Sequence, residues 1–355
     1  MTQDNQKTQT LPATKIVVVG AGSWGTALAF ALARNNHDVS LWARSADHVL
    51  EMQKDGSNER YLPGFKFPDN LRANSDLEQL TRDHKVFLIG TPSHAFRKII
   101  QTLKSYGLSS DAVLMWATKG FDMGANSEQD GIENHEGAML LNEVVNQELG
   151  SDIAQAIVSG PSFSKEVAAN LPTAITAAGN NETVVQYVAK LFHDSMMRVY
   201  TNDDFIGVQV GGAIKNVMAI AAGISDGLGY GANSRSAIIT RGLAEIARLG
   251  QALGANRETF LGLAGMGDLV LTCTDNQSRN RRFGLGIGEG KSVQQTLDDI
   301  GQEVEGYTTC KEVRRLAKQY DVDMPISEQV YKVVYQGLSP HDAVQKLLNR
   351  ELINE

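Results

Sequence analysis

The stretch that most constrains the fold is KIVVVGAGSWGTALAF, residues 15–30. A β-branched run ends at a glycine, and an alanine-rich helical pattern starts at Trp24. G-x-G-x-x-G at a strand-to-helix junction marks a dinucleotide-binding turn. Gly20 permits the tight turn, Gly22 lets backbone N–H groups approach a pyrophosphate, and Gly25 lets helix and strand pack closely. The helix N-terminus adds partial positive charge. A glycine-rich turn without a ligand is the plain alternative.

The next segments repeat the theme. DVSLWA (38–43), KVFLIGT (85–91), AVLMWATKG (112–120), AIVSGPS (156–162) and TAITAAG (173–179) are near-continuous apolar runs separated by helical patterns. Such runs fit strands buried on both faces, so a parallel sheet covered by helices is expected. Right-handed crossovers make it a doubly wound, mostly parallel Rossmann-type sheet. From about residue 204 strand runs vanish, and RGLAEIARLGQALG (241–254), VQQTLDDI (293–300), KEVRRLAKQY (311–320) and SEQVYKVVYQG (327–337) carry helical spacing. The expected fold class is α/β plus all-α. Residues 1–13 read as a polar, disordered tail without the apolar core of a signal peptide. Residues 14–203 are expected to form an NAD(P)-binding Rossmann-like domain and 204–355 a helical substrate and catalytic domain. The segment FDMGANSEQDGIENHEG, 121–137, holds five acidic residues and no Lys or Arg, and reads as an acidic surface loop.

Charge and cysteine content narrow the partners. The formal net charge of −8 over 355 residues disfavours nucleic acid and repels anions at long range. An anion site must then be local, built from a few cations and backbone N–H groups. Two cysteines, Cys273 and Cys310, form neither a disulfide framework nor a zinc cage. A reducing compartment and no metal are expected.

The segment FIGVQVGGAIKNVMAIAAGIS, 205–225, contains one charge, Lys215. It is long enough to span a membrane, but a mid-segment charge and Asn216 argue for a buried helix of a soluble protein. Gly211, Gly212, Met218, Ala219 and Ala222 share the lysine's helical face, and the small ones are read as room for a ligand beside the amine. Burial lowers a lysine's pKa from about 10.4 toward the range of proton transfer. Reduction of a carbonyl by hydride needs such a donor. A snorkelling lysine, or one paired with Asp204 or Asp226, is the alternative. Asn216 is read either as orienting the lysine or as binding substrate.

Ligands of an open α/β sheet bind beyond the carboxyl ends of its strands. TPSHAF (91–96), ATKGF (117–121) and GPSFSKE (160–166) fall there, which places Lys119 at the crevice. In GLAGMGDLVLTCTDNQSRNRRFG (262–284), Asp268 is a partner for Lys215, Ser278 is an N-cap, and Arg279 with neighbouring N–H groups suits a phosphate. Arg281 and Arg282 are read as surface or ion-pair residues. At the end of the second strand, Ala43-Arg44-Ser45 stands where an NAD-selective site has Asp or Glu. Arg44 suits a 2′-phosphate, so NADP(H) is expected to serve at least as well as NAD(H); a solvated arginine is the alternative.

GAGSWGTALA, ATKG, SGPSF with the following KE, GGAIKNVMAIAAG, SDGLGYGANSR, TRGLAE, GMGDLVLTCTDNQSRNRRFG and EGYTT together resemble the bacterial NAD(P)-dependent sn-glycerol-3-phosphate dehydrogenases, from about Lys15 to about Leu348. The resemblance implies interconversion of dihydroxyacetone phosphate and sn-glycerol 3-phosphate, feeding glycerophospholipid synthesis, by a cytoplasmic homodimer. It makes Lys215 the proton-transferring lysine and puts Lys119 near both substrate and cofactor. Gly160 and Ser162 become substrate contacts and Ser164 a cofactor contact. Asp268, Ser278, Arg279 and Asn280 become substrate-site residues, with Arg279 also reaching the cofactor. Ser23, Trp24, Arg44 and Tyr61 are further cofactor contacts, and Glu303 and Glu305 fall on the nicotinamide side. The 121–137 loop is longer than the family pattern. A β-hydroxyacid dehydrogenase of related architecture is the second enzymatic reading, and a non-catalytic NADPH sensor or scaffold the reading from another class.

Overall fold

The computed structural model describes residues 11–124 and 138–350, so most of the acidic 121–137 segment lies outside the described residues. Eight strands form one sheet: β1 Lys15–Val19, β2 Asp38–Trp42, β3 Leu71–Asn74, β4 Val86–Ile89, β5 Val113–Trp116, β6 Ala154–Ser159, β7 Thr173–Gly179 and β8 Met197–Asn202. Their order is β3-β2-β1-β4-β5-β6-β7-β8. All neighbours are parallel except β6 and β7. The mostly parallel doubly wound sheet is therefore present. The chain between β6 and β7 holds only the five-residue helix Ser164–Ala168, and it doubles back instead of crossing over.

The strand order reverses beside β1, which opens a crevice beyond the ends of β1 and β4. Inner strands carry the signal seen in sequence because helices cover both faces; β4 is buried along its whole length. The sequence reading misses β3 and β8. They are the two edge strands; β3 has two buried residues of four and β8 one of six, so neither needs an apolar run.

Beyond Asn202 the described chain is helical. Helix Phe205–Gly227 is the hub. Asp204 caps it, accepting from Gly207 N at 2.8 Å, and also holds Asn256 N at 2.9 Å and Thr259 Oγ1 at 2.6 Å. This helix is long and apolar enough to cross a membrane, but Gly207–Ser225 are buried inside the protein.

Its small residues correct one expectation. They do not leave space for a ligand, because neighbouring elements fill it. A Cβ on Gly211 would lie 2.5 Å from the Ala264 carbonyl oxygen, and one on Gly223 would lie 2.1 Å from the Arg281 carbonyl oxygen. On the sheet side, a Cβ on Gly212 would meet Ser159 Oγ at 2.9 Å and the Lys119 stem at 3.5 Å. Glycine here lets backbones approach, and the ligand space lies elsewhere.

Candidate active site

Lys119 follows β5 on a turn that requires glycine. Gly120 has φ +140°, and a Cβ there would overlap Ser93. The lysine stem runs against Gly212, and Nζ donates to Asp268 Oδ2 at 2.6 Å. Asp268 opens helix Asp268–Thr274 directly after a π-helical turn, Leu263–Gly267. Its Oδ1 accepts from Lys215 Nζ, which also donates to Thr272 Oγ1 at 2.9 Å. Thr272 in turn donates to the Asp268 carbonyl at 2.6 Å. Two ammoniums from opposite halves of the fold thus meet on one carboxylate, which is 1% exposed.

The electrostatics follow from burial. Desolvation drives the Lys215 pKa down, Asp268 pulls it up and Lys119 pushes it down again, leaving it at about 8. Burial alone would raise the Asp268 carboxyl; the charges of Lys119 and Lys215 outweigh it and hold the group below its usual range. Neither Asp204 nor Asp226 pairs with Lys215. Asp204 serves as a cap, and Asp226 pairs with Arg235 and Arg281.

Two joined cavities meet here. One, about 740 Å³, is lined by Lys119, Ser162, Ser164, Lys215, Ser278, Arg279 and Asn280. The other, about 920 Å³, is lined by Gly20, Gly22, Arg44 and Glu303. Ser23, Trp24, Tyr61, Arg279 and Glu305 border both. Three expected site residues line neither. Asp268 is buried behind the lysines, Gly25 packs against the Gly20 carbonyl, and Gly160 (φ +136°) packs on the backbone of β7.

The remaining residues have defined partners. Ser278 Oγ accepts from Arg281 N at 3.2 Å, so it is the N-cap expected for helix Arg279–Gly288. Asn280 Oδ1 accepts from Gly306 N at 2.8 Å, and Asn216 Nδ2 donates to Glu305 Oε2 at 3.1 Å. These two asparagines fix the start of helix Glu305–Gln319 against the crevice. Ser162 Oγ donates to the Gly160 carbonyl at 2.9 Å. Glu303 stands 3.8 Å from His94 across the cavity mouth. Arg44 is exposed, and Arg281 is an ion-pair residue as expected. Sequence reasoning missed Thr272, although its place one helical turn after Asp268 was available as a signal. It also missed Arg60, Lys165 and Arg282 as cavity-lining cations.

The cofactor half fits a dinucleotide on its own geometry. A Cβ on Gly20 would meet the Gly90 backbone at 3.0 Å, and one on Gly25 would meet the Gly20 carbonyl oxygen at 2.0 Å, whereas one on Gly22 would meet nothing within 4 Å. The first and third glycines close the turn and the middle one leaves it open. Helix Ser23–Arg34 has no side-chain cap and no acid in its first turn, which leaves N–H donors for an anion. The buried Trp24 Nε1 and Thr91 Oγ1 lack hydrogen-bond partners among the described residues.

Residues 15–185 match the family described as NAD-dependent glycerol-3-phosphate dehydrogenase N-terminus, and residues 204–345 match its C-terminus. A glycerol-3-phosphate dehydrogenase (NAD(P)+) of Pseudoalteromonas translucida is 50% identical over 96% of this chain and 98% of its own. The chain belongs to the NAD-dependent glycerol-3-phosphate dehydrogenase family. Another relative of that name, from Colwellia psychrerythraea, is 51% identical over 96% of this chain and 98% of its own. The crystal structure of the glycerol-3-phosphate dehydrogenase of Coxiella burnetii superposes with a TM-score of 0.88 at 46% identity, covering 95% of this chain and 99% of that one. The resemblance read from the motif blocks is therefore membership of an NAD(P)-dependent oxidoreductase family, and it does not favour the β-hydroxyacid alternative.

Proposed function

We propose that this chain interconverts dihydroxyacetone phosphate and sn-glycerol 3-phosphate with NADP(H) or NAD(H). The observation that carries the reading is the Lys215–Asp268–Lys119 cluster facing a cavity joined to the glycine turn. A bound nicotinamide supplies the hydride for the C2 carbonyl carbon. Lys215 gives its proton to the carbonyl oxygen as negative charge develops there, and takes it back in the oxidative direction. Asp268 keeps the buried lysine partly charged and fixes its direction. Lys119, the second cation, favours the developing alkoxide. Arg279 and the N–H groups of the Ser278-capped helix hold the phosphate, with Asn280 bracing the adjoining helix. Asn216 then positions Glu305.

On this reading residues 14–203 carry the glycine turn and 204–355 carry Lys215, Asp268 and the phosphate turn, while Lys119 and Ser162 reach the substrate from the first and Arg279, Glu303 and Glu305 reach the cofactor from the second. The same reading carries a homodimer, a cytoplasmic location and supply of glycerophospholipid synthesis, with no nucleic-acid partner. The test is optical: oxidation of NADPH and of NADH with dihydroxyacetone phosphate, and reduction of NADP+ with sn-glycerol 3-phosphate against 3-hydroxy acids. Turnover of the phosphorylated pair alone supports the reading; turnover of 3-hydroxy acids alone refutes it. Arg44→Ala should lose kcat/KM with NADPH and keep it with NADH; equal losses refute a 2′-phosphate contact.

A further inference from the structure

Behind the turn that takes the phosphate lies a buried charge cluster with no part in the chemistry above. Arg281 is 7% exposed and lines neither cavity. Its guanidinium is committed in three directions. Nε donates to the Cys273 carbonyl at 3.0 Å, Nη1 donates to Asn276 Oδ1, and Nη2 donates to Asp226 Oδ2. Asp226 also accepts from Arg235 Nη1 at 3.0 and 2.9 Å.

These acceptors lie on three segments. Asp226 sits on the hub helix, about three turns beyond Lys215. Cys273 is near the end of the helix that Asp268 begins. Asn276 belongs to the turn leading into Ser278 and Arg279, and Asn276 and Arg279 both line the smaller cavity. Backbone contact locks the same place, because Gly223 of the hub helix gives way to the Arg281 carbonyl. One side chain therefore ties the proton donor's helix and the carboxylate's helix to the turn before Arg279.

We propose that Arg281, anchored by Asp226, is a positioning residue that holds the 275–279 turn in its phosphate-binding form. The proposal rests on the reading that this turn takes the substrate phosphate. Arginine is required because a rigid fork reaches three acceptors at once, whereas a lysine carries the charge without the reach. Loosening the turn weakens the grip on phosphate without touching Lys215 or Asp268.

The test uses Arg281→Lys, which keeps a cation beside Asp226 but not the fork. kcat/KM is measured on dihydroxyacetone phosphate and on dihydroxyacetone, the same ketone without phosphate. Arg235→Ala is the control, since Arg235 touches Asp226 and lines neither cavity. Arg281→Lys should raise KM for the phosphorylated ketone and cut its kcat/KM by about 10- to 100-fold, leaving dihydroxyacetone unchanged. The control should leave both unchanged. Equal losses on both ketones, or no loss on either, overturn the proposal. So does failure of Arg281→Lys to fold by circular dichroism, which would make the cluster a stability element alone. No wild-type turnover of dihydroxyacetone phosphate would instead defeat the functional reading.

Discussion

At Lys215 opposing effects act on one ammonium. Burial and Lys119 lower its pKa, Asp268 raises it, and the balance falls at about 8. On the proposed mechanism, reduction needs the protonated amine and oxidation the neutral one. The kcat for reduction should therefore fall as pH rises through about 8, and the kcat for oxidation should rise through the same range. Asp268→Asn removes the group that holds the proton, while burial and Lys119 remain. The limb should then move to lower pH. Steady-state pH profiles of the wild type and the variant check both, and a limb that stays in place would assign it to another group. Lys215 was legible in sequence because a lone charge in an apolar helix needs a reason. Its actual partner was open among three aspartates, since one helix does not reveal what packs against it.

Among elements, the hub helix and the middle of the glycine turn use glycine in opposite ways. Alanine in place of a helical glycine gains about 1 kcal/mol of propensity, but overpacking costs about 1–3 kcal/mol. At Gly223 the new Cβ would lie 2.1 Å from a carbonyl oxygen, so packing wins. Gly223→Ala should lower the denaturant midpoint; an unchanged or higher midpoint would show that the helices separate easily. At Gly22, where nothing lies within 4 Å, alanine should leave the midpoint alone and weaken NADPH binding measured by fluorescence titration. Inner strands and the glycine turn were readable because burial on two faces and positive φ restrict residue choice. Edge strands β3 and β8 were not, since solvent on one side removes that restriction. The small residues of the hub helix were recognised as small, but size alone does not distinguish an empty pocket from a neighbouring backbone.

Across the whole molecule, two buried carboxyls couple separate parts. Glu245 accepts from Ile326 N at 2.6 Å and Ser327 N at 3.1 Å, and Glu312 accepts from Phe121 N of the sheet half at 3.3 Å. Burial pushes them up to about 7 and about 8 from 4.5. Each holds a proton in the folded state that the unfolded chain has released. Their contribution is therefore complete below pH 4.5 and is lost as pH rises through about 7 and 8. Tm should decline across that window, and Glu245→Gln should remove part of the slope; an unaltered slope would deny Glu245 its share. The proposed mechanism joins the two halves that Glu312 bridges, with the cofactor assigned to the sheet turn and the acid to the hub helix. Lys215→Ala, assayed for kcat with dihydroxyacetone phosphate and for NADPH affinity by fluorescence, tests that division most directly. A fall in kcat of about 10²–10⁴-fold with NADPH binding intact is the predicted result. Retention of more than about a tenth of the wild-type kcat would contradict the assignment of Lys215 as the proton donor.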